Sequence, residues 1–281
     1  MRVGANYSHE VLQCHVLSIA VLGPGLSGWD VARSILGGEQ RYQRTEFEIP
    51  AVTWLPPTER RRVGKMVRLA LTVGNAAVRA AAIDASKVAT VFTSSSGDGD
   101  NCDAIFTTLA HNEKSERFIS PTRFHNSVHN APAGYWSIAN HCTLPSTSLC
   151  AYDASFAAGL VEACCQAMWT GEHILLISSD VMYPYPLSDI RPMGSNFAVA
   201  MVLKAAATDD ALAKLTLGYA AESETRMEPS ELDELRLSNP SARCLPLLQV
   251  IAQKALHSDR AAAKKIHLEY VEPVSLEVVV D

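Results

Sequence analysis

No CxxC, HExxH or G-x-S-x-G occurs anywhere in the 281 residues. Their absence removes the common paired-cysteine zinc sites, the zincin helix and the serine-hydrolase elbow. Long apolar runs are missing too. Stretches such as Val16–Leu22 and Ile174–Ser178 fall far short of the ~20 residues that span a bilayer. The opening MRVGANYSHEVLQ lacks the basic, apolar and small-residue order of a secretory signal. Positive charge is in deficit, with 24 Lys and Arg against 30 Asp and Glu, for a net charge of −6. That balance argues against nucleic acid or an anionic membrane as the main partner. The seven cysteines are an odd number with no paired spacing. They read as reduced thiols of a cytoplasmic protein.

What is present is apolar mass: 48% of the residues are hydrophobic, enough for a substantial core with buried strands. Residues 1–13 show no pattern and read as a disordered or appended start. From residue 14 onward strands alternate with helices, without a linker or short-period repeat, which predicts one α/β domain over 14–281. Strands are expected at Val16–Leu22, Lys87–Thr93, Ile174–Ser178, Asn196–Ala205 and Leu276–Val280. Leu215–Ala220 alternates weakly and could pair with Asn196–Ala205. Thr58 is expected to cap one long helix with Val63, Met66, Val67, Ala70 and Val73 on its apolar side. Arg60–Arg62, Lys65 and Arg68 then read as a solvated face rather than an anion site. Further helices are expected at Asp103–Leu109, Glu228–Leu237 and Cys244–Leu256, and Arg117–Asn140 reads as a loop leading into a helix interrupted near Pro132.

The organising stretch is Thr143–Asp180. It reads as a short strand, a tight elbow at Ala151–Asp153, a helix from Ala154 to Trp169 and a second strand. Phe156, Leu160, Cys164 and Met168 recur every four residues on one helix face. Ala157, Ala158, Gly159 and Ala163 allow close packing, and Asp153 suits the N-cap. Enzymes often place a nucleophile at such an elbow, where the helix N-terminus favours negative charge. Here the tip carries Tyr152, Asp153 and Ala154. The nearest thiol, Cys150, sits in the strand.

Two other patterns invite functional readings. Gly23–Gly28 matches the dinucleotide fingerprint G-x-G-x-x-G, but GGEQRYQRTEFEIP follows, where the fingerprint needs an apolar strand ending in an acid. His125 and His129 are four apart, as zinc ligands on a helix can be. No cysteine pair or HExxH context completes a site, and no metal or other cofactor is expected.

Several runs together carry a family resemblance. They are Phe118-Ile-Ser-Pro-Thr-Arg-Phe, Asn126–Asn130, Ala133-Gly134, Pro145-Ser-Thr-Ser-Leu, the elbow with its small-residue helix, and the Gly171-Glu172 turn. Val21–Gly28, Ser94–Gly99 and Phe197–Leu203 add the opening turn, a glycine-rich loop and a closing strand. In this order they resemble the N-terminal half of the β-ketoacyl synthases over roughly Leu17–Leu203. The resemblance implies an α/β fold, a thiolase-like layered sandwich formed essentially by the N-terminal ketosynthase half (14–203) with a short C-terminal extension (204–281). It also implies dimerisation through the strand Ser146–Cys150.

Active members condense acyl units held on an acyl carrier protein, using an elbow cysteine and two histidines from the second half. Counting from either flank puts that cysteine at Asp153 or Ala154, neither of which is a nucleophile for this chemistry. The stretch after Leu203 is short for a second half, and its histidines, His257 and His267, lie in contexts unlike the family's. The pattern resembles the chain-length factors, inactive subunits that pair with an active ketosynthase. It is most similar to the truncated ketosynthase-like proteins of aryl polyene clusters. By family position, Asp98, Arg123, Phe124, Ser146, Thr147, Ser148, Leu149 and Tyr152 would lie at the acyl tunnel or dimer face, with no catalytic residue. The expected partners are an active ketosynthase, in a heterodimer, and an acyl carrier protein. The competing readings are a diverged condensing or acyl-transfer enzyme using Cys150 or Asp153, and a dinucleotide-binding protein built on Gly23–Gly28.

Overall fold

The computed structural model describes residues 11–111, 113–256 and 262–281. The chain opens with a long strand β1 (Leu12–Gly23), a short return strand β2 (Leu26–Ser27) and helix α1 (Trp29–Leu36). A loop leads to α2 (Pro57–Arg60), α3 (Lys65–Ala80) and β3 (Ala89–Thr93). Next come α4 (Gly99–Leu109), α5 (Pro121–His125), α6 (Ala131–Asn140) and β4 (Ser146–Leu149). The elbow then feeds α7 (Ser155–Thr170), β5 (Ile174–Asp180), α8 (Leu187–Ile190) and β6 (Phe197–Lys204). The tail contributes β7 (Ala213–Ala220), α9 (Ser230–Ser238), α10 (Leu245–Leu256), β8 (Lys264–Leu268) and β9 (Ser275–Val280).

Among the described residues the strands form one sheet in the order β4-β3-β5-β6-β1-β7-β9-β8, with β2 paired to β1. β4, β3 and β5 run parallel, and every pairing from β5 onward is antiparallel. The central strands are buried on both faces, which explains their unbroken apolar sequence. On β5, Ile174 and Leu176 face the layer containing α7, while Leu175 and Ile177 face α3 and α6. On β6, Phe197, Val199, Met201 and Leu203 take the α7 side. The smaller Ala198, Ala200 and Val202 take the other, where α3 packs. The sandwich expected from the sequence is thus a sheet between two helical layers. The tail strands extend this sheet past β1 and cover α10 with Leu215, Leu217, Ile266, Leu276 and Val278.

Four local expectations change. The helix expected from Thr58 is two helices, because Arg61–Gly64 breaks between α2 and α3. β7 pairs with β1 and β9 rather than with β6, whose two edges β5 and β1 already occupy. β1 begins at Leu12, inside the stretch read as patternless, while residues 1–10 and His257 lie outside the described residues. Cys14 on β1 and Cys164 on α7 are disulfide-bonded with Cα atoms 5.7 Å apart, against the reading of seven reduced thiols.

Gly159 sets the distance between α7 and the sheet. A Cβ there would lie 2.3 Å from Thr93 Cγ2 and 2.9 Å from Leu176 Cδ1. Gly159→Ala should therefore lower stability by about 1–3 kcal/mol through overpacking, despite the better helix propensity of alanine. Urea unfolding checks this, and an unchanged or higher midpoint would show that the helix has room to move.

Candidate functional site

The elbow between β4 and α7 is tightly determined. Tyr152 has φ +53°, a left-handed conformation that is costly for a bulky side chain. Ser155 helps hold the turn: its Oγ accepts from Ala151 N–H at 3.0 Å and lies 2.7 Å from Tyr152 O and 3.0 Å from Ser94 O. Above the turn, the Arg191 guanidinium stacks 3.4 Å from the Tyr152 ring centroid and donates to Asp153 Oδ1 at 2.7 Å. Asp153 was expected to cap the helix. Instead no side chain caps α7, and the carboxylate turns toward the arginine.

A second arginine approaches from the tail. Arg243, in the single turn Pro240–Cys244, lies 4.0 Å from Asp153, 2.8 Å from Glu269 and 3.3 Å from Glu224. Glu224 also takes Arg236 at 2.6 Å, and Arg236 is paired with Asp233 at 2.6 Å. Arg236 is almost wholly buried, so these partners are what make its charge tolerable. Burial works against the Arg191 charge, but Asp153 outweighs it and holds the guanidinium pKa above its usual value. Burial, opposed by Arg243 and reinforced by Glu224 and Asp153, pushes the Glu269 carboxyl up. Around the elbow, then, the tail supplies arginines and carboxylates. His267, one of the two tail histidines, lies on β8 at 3.5 Å from Glu277 and 4.0 Å from Glu222.

Beside the elbow, Asp180 at the end of β5 is fully buried. Ser95 donates to its Oδ1 through N–H at 2.8 Å and Oγ at 2.9 Å, and Ser241 Oγ donates to Oδ2 at 2.7 Å. Tyr183 closes over the same loop with its hydroxyl against Ser95 and Ser96. Asp180 thereby ties the glycine-rich loop to the turn carrying Arg243. Sequence reading missed it, because an acid at the end of an apolar strand has no local motif.

The sequence-derived candidates divide between two clefts. Ser146, Ser148, Leu149 and Cys150 line an open cleft of about 1220 Å³ with Ser96, His129 and Asn130. β4 has β3 on one side and, among the described residues, no strand on the other. Thr147 turns toward α7, accepting from Gln166 Nε2 at 2.9 Å. Asp98 and Arg123 meet elsewhere, in a cleft of about 450 Å³ with Arg61, Arg62, Lys65, Arg68 and Asp100. Asp98 caps α4 by accepting from Asn101 N–H at 3.0 Å, and burial raises its pKa. Phe124 is exposed on α5, and Tyr152 is exposed at the elbow.

The competing sites are less suited to chemistry. Burial raises the Cys150 thiol pKa, and its only side-chain hydrogen-bond partner among the described residues is Ser94 Oγ at 3.8 Å. It therefore has little thiolate at neutral pH. Gly23–Gly28 forms a hairpin, with Gly23 paired to Leu26, rather than a strand-to-helix phosphate loop. A Cβ on Gly25 would lie 2.3 Å from Gln43 O, so the chain's own backbone fills the space beside that glycine. His125 packs edge-on against Tyr135, while His129 Nε2 lies 3.3 Å from Ser148 O. Among the described residues no group of three or more His, Cys, Asp or Glu is placed to hold a metal, and no helix is long and apolar enough to cross a membrane.

This sheet, elbow and helix define a ketosynthase-like thiolase fold. The chain belongs to the β-ketoacyl synthase family: the profile described as "Beta-ketoacyl synthase, N-terminal domain" matches residues 38–263. Among solved structures, it is similar to a chain in the complex of the ketosynthase ApeO with its chain length factor ApeC from Xenorhabdus doucetiae. That match has 20% identity and a TM-score of 0.71, covering 95% of this chain and 99% of the other. The ishigamide ketosynthase/chain length factor matches at 11% identity and a TM-score of 0.72, with 95% and 99% covered. A chain of the AntDE:AntF complex, a type II PKS acyl-carrier protein with its ketosynthase, matches at 11% and 0.71, with 96% and 99% covered. No curated protein matches the sequence significantly.

The Asp180 carboxyl gives a pH signature. Burial, only partly offset by its hydrogen bonds from Ser95 and Ser241 and by the Arg191 charge, pushes its pKa up to about 6. The unfolded value is roughly 4. Its contribution therefore favours the native state most below pH ~4 and is lost as pH rises through about 6. Asp180→Asn should flatten that dependence by about 3 kcal/mol at most, since one pKa unit is about 1.4 kcal/mol. Urea midpoints from pH 4 to 7 test this, and identical profiles for both proteins would refute it.

Proposed function

We propose that this chain is a non-catalytic, chain-length-factor-like subunit that pairs with an active β-ketoacyl synthase and helps wall its acyl tunnel, in a system of the aryl polyene type. The observation that carries the reading is Asp153. The family resemblance puts the nucleophile at Asp153 or Ala154, and the only functional group at either is a carboxylate, held at 2.7 Å by Arg191. It is a poor acyl acceptor, and partial desolvation raises the pKa of the nearby Cys150 thiol rather than activating it. In this reading residues 14–281 act as one unit, with 204–281 as the extension that closes the elbow.

Pairing through β4 is supported by its open edge. That edge is flanked on one side by the cleft with His129 and on the other by an apolar groove of about 640 Å³ that includes Leu144, Cys165 and Trp169. Exposed strand edges are templates for another strand, and exposed apolar surface of this kind marks association. Trp169 is 91% exposed. The expected occupant is the matching strand of an active ketosynthase. The second cleft has five cations, Arg61, Arg62, Lys65, Arg68 and Arg123, against Asp98 and Asp100. Such an excess suits an acidic carrier protein.

Ser148 offers the cleanest test. Its carbonyl faces His129, away from β3, so Ser148→Pro removes an outward N–H while sparing the existing ladder. Co-expressed with the ketosynthase encoded nearest to it, the parent chain should co-purify in equal amounts. Ser148→Pro should leave the melting temperature of the isolated chain nearly unchanged and abolish co-purification. A parent chain that stays alone, or a complex indifferent to proline, would contradict the reading.

A further inference from the structure

The two arginines at the elbow have more donors than partners. Among the described residues, Asp153 is the one carboxylate within 4.0 Å of Arg191. The Arg191 Nε–H and the Arg243 Nε–H are both buried without a hydrogen-bond partner. Neither guanidinium is deeply isolated, since the side chains are 16% and 13% exposed and Asp153 is 26% exposed. Arg191 donates directly to a carboxylate that solvent can still reach, and Arg243, itself paired with Glu269 and Glu224, adds its charge from 4.0 Å. This is how proteins bind small carboxylate anions, through charge-assisted donors in a fixed fork. Here the anion is supplied by the chain itself.

We propose that the elbow is a two-arginine carboxylate-binding site whose resident ligand is the Asp153 side chain. Asp153 is an internal occupant that keeps the site closed to external carboxylate anions. The same contact pins the connection Val181–Asn196, which carries Arg191, across the turn. Arg191 then steadies the left-handed Tyr152 from above. This deepens the non-catalytic reading of the elbow without depending on any partner, because every group in it belongs to this chain.

The prediction is chemical rescue. In the full-length chain, Asp153→Ala removes the resident carboxylate and leaves Arg191 without an anion, so the melting temperature should fall by several degrees. Sodium formate or acetate at millimolar concentration should restore it saturably, as a ligand that binds only the native state does. Sodium chloride at equal ionic strength should not. Asp153→Ala/Arg191→Gln should show no such recovery, because the principal donor is gone. A merely space-filling aspartate would give the same loss with no carboxylate-specific recovery.

If Asp153→Ala does not fold, the cycle of Asp153→Asn, Arg191→Gln and their double variant reads the pairing directly. A double variant destabilised by as much as the two singles added together, or by more, would overturn the proposal, as would rescue by chloride or rescue without Arg191. Co-purification with a ketosynthase plays no part in these readouts, so loss of the partner reading and loss of this one are distinguishable.

Discussion

The close contact of α7 with the sheet is the constraint from which the rest of the structure follows. Gly159 allows the helix to lie against Thr93 and Leu176, and Phe156, Leu160, Ala163 and Ala167 are buried along the same face. With the helix held there, its first turn must emerge beside the ends of β3 and β5. The elbow, the glycine-rich loop and Asp180 are therefore brought together by packing, before any polar contact is made. Thiolase-like folds that perform acyl transfer exploit the same geometry. In this chain the elbow carries Asp153, held by Arg191.

Charge pairing dominates the surroundings of the elbow. Asp153, Arg191, Arg243, Glu224 and Glu269 form a connected set joining the elbow, the β5–β6 connection and the tail. A reactive nucleophile would need a proton acceptor and room for an acyl group. Here the Arg191 guanidinium stacks on Tyr152, and the turn is held in a left-handed conformation by its neighbours. The tail, which adds β7–β9 and α10, has a defined task in this arrangement: it delivers Arg243 and covers the α7 side of the sheet. At the opposite end of the sheet, β4 has no strand beyond it among the described residues.

The sequence made the apolar framework legible, because central strands buried on both faces and a four-residue helical repeat leave unbroken patterns. β5, β6, α7 and α10 all fall where those patterns put them, and the order and spacing of the motifs over roughly Leu17–Leu203 were enough to identify the family. The long-range polar contacts were not legible. Arg191 and Arg243 lie in loops without periodicity, and nothing local links either to Asp153, 38 residues from Arg191. Asp180 hides at the end of an apolar strand. β8 reads as a charged segment, KKIHL, because only one of its faces is buried. The break at Arg61–Gly64 was missed because the apolar spacing of Val63, Met66 and Val67 runs through it. Pairing of β7 with β1 depends on sheet order, which periodicity does not encode.

The most direct measurement is intact-mass analysis of the purified complex after exposure to an acyl thioester that loads ketosynthases. The account predicts an acyl increment on the partner chain alone, with this chain at its unmodified mass. An acyl adduct on this chain, at Asp153, Cys150 or elsewhere, would contradict it and make the protein an acyltransferase in its own right.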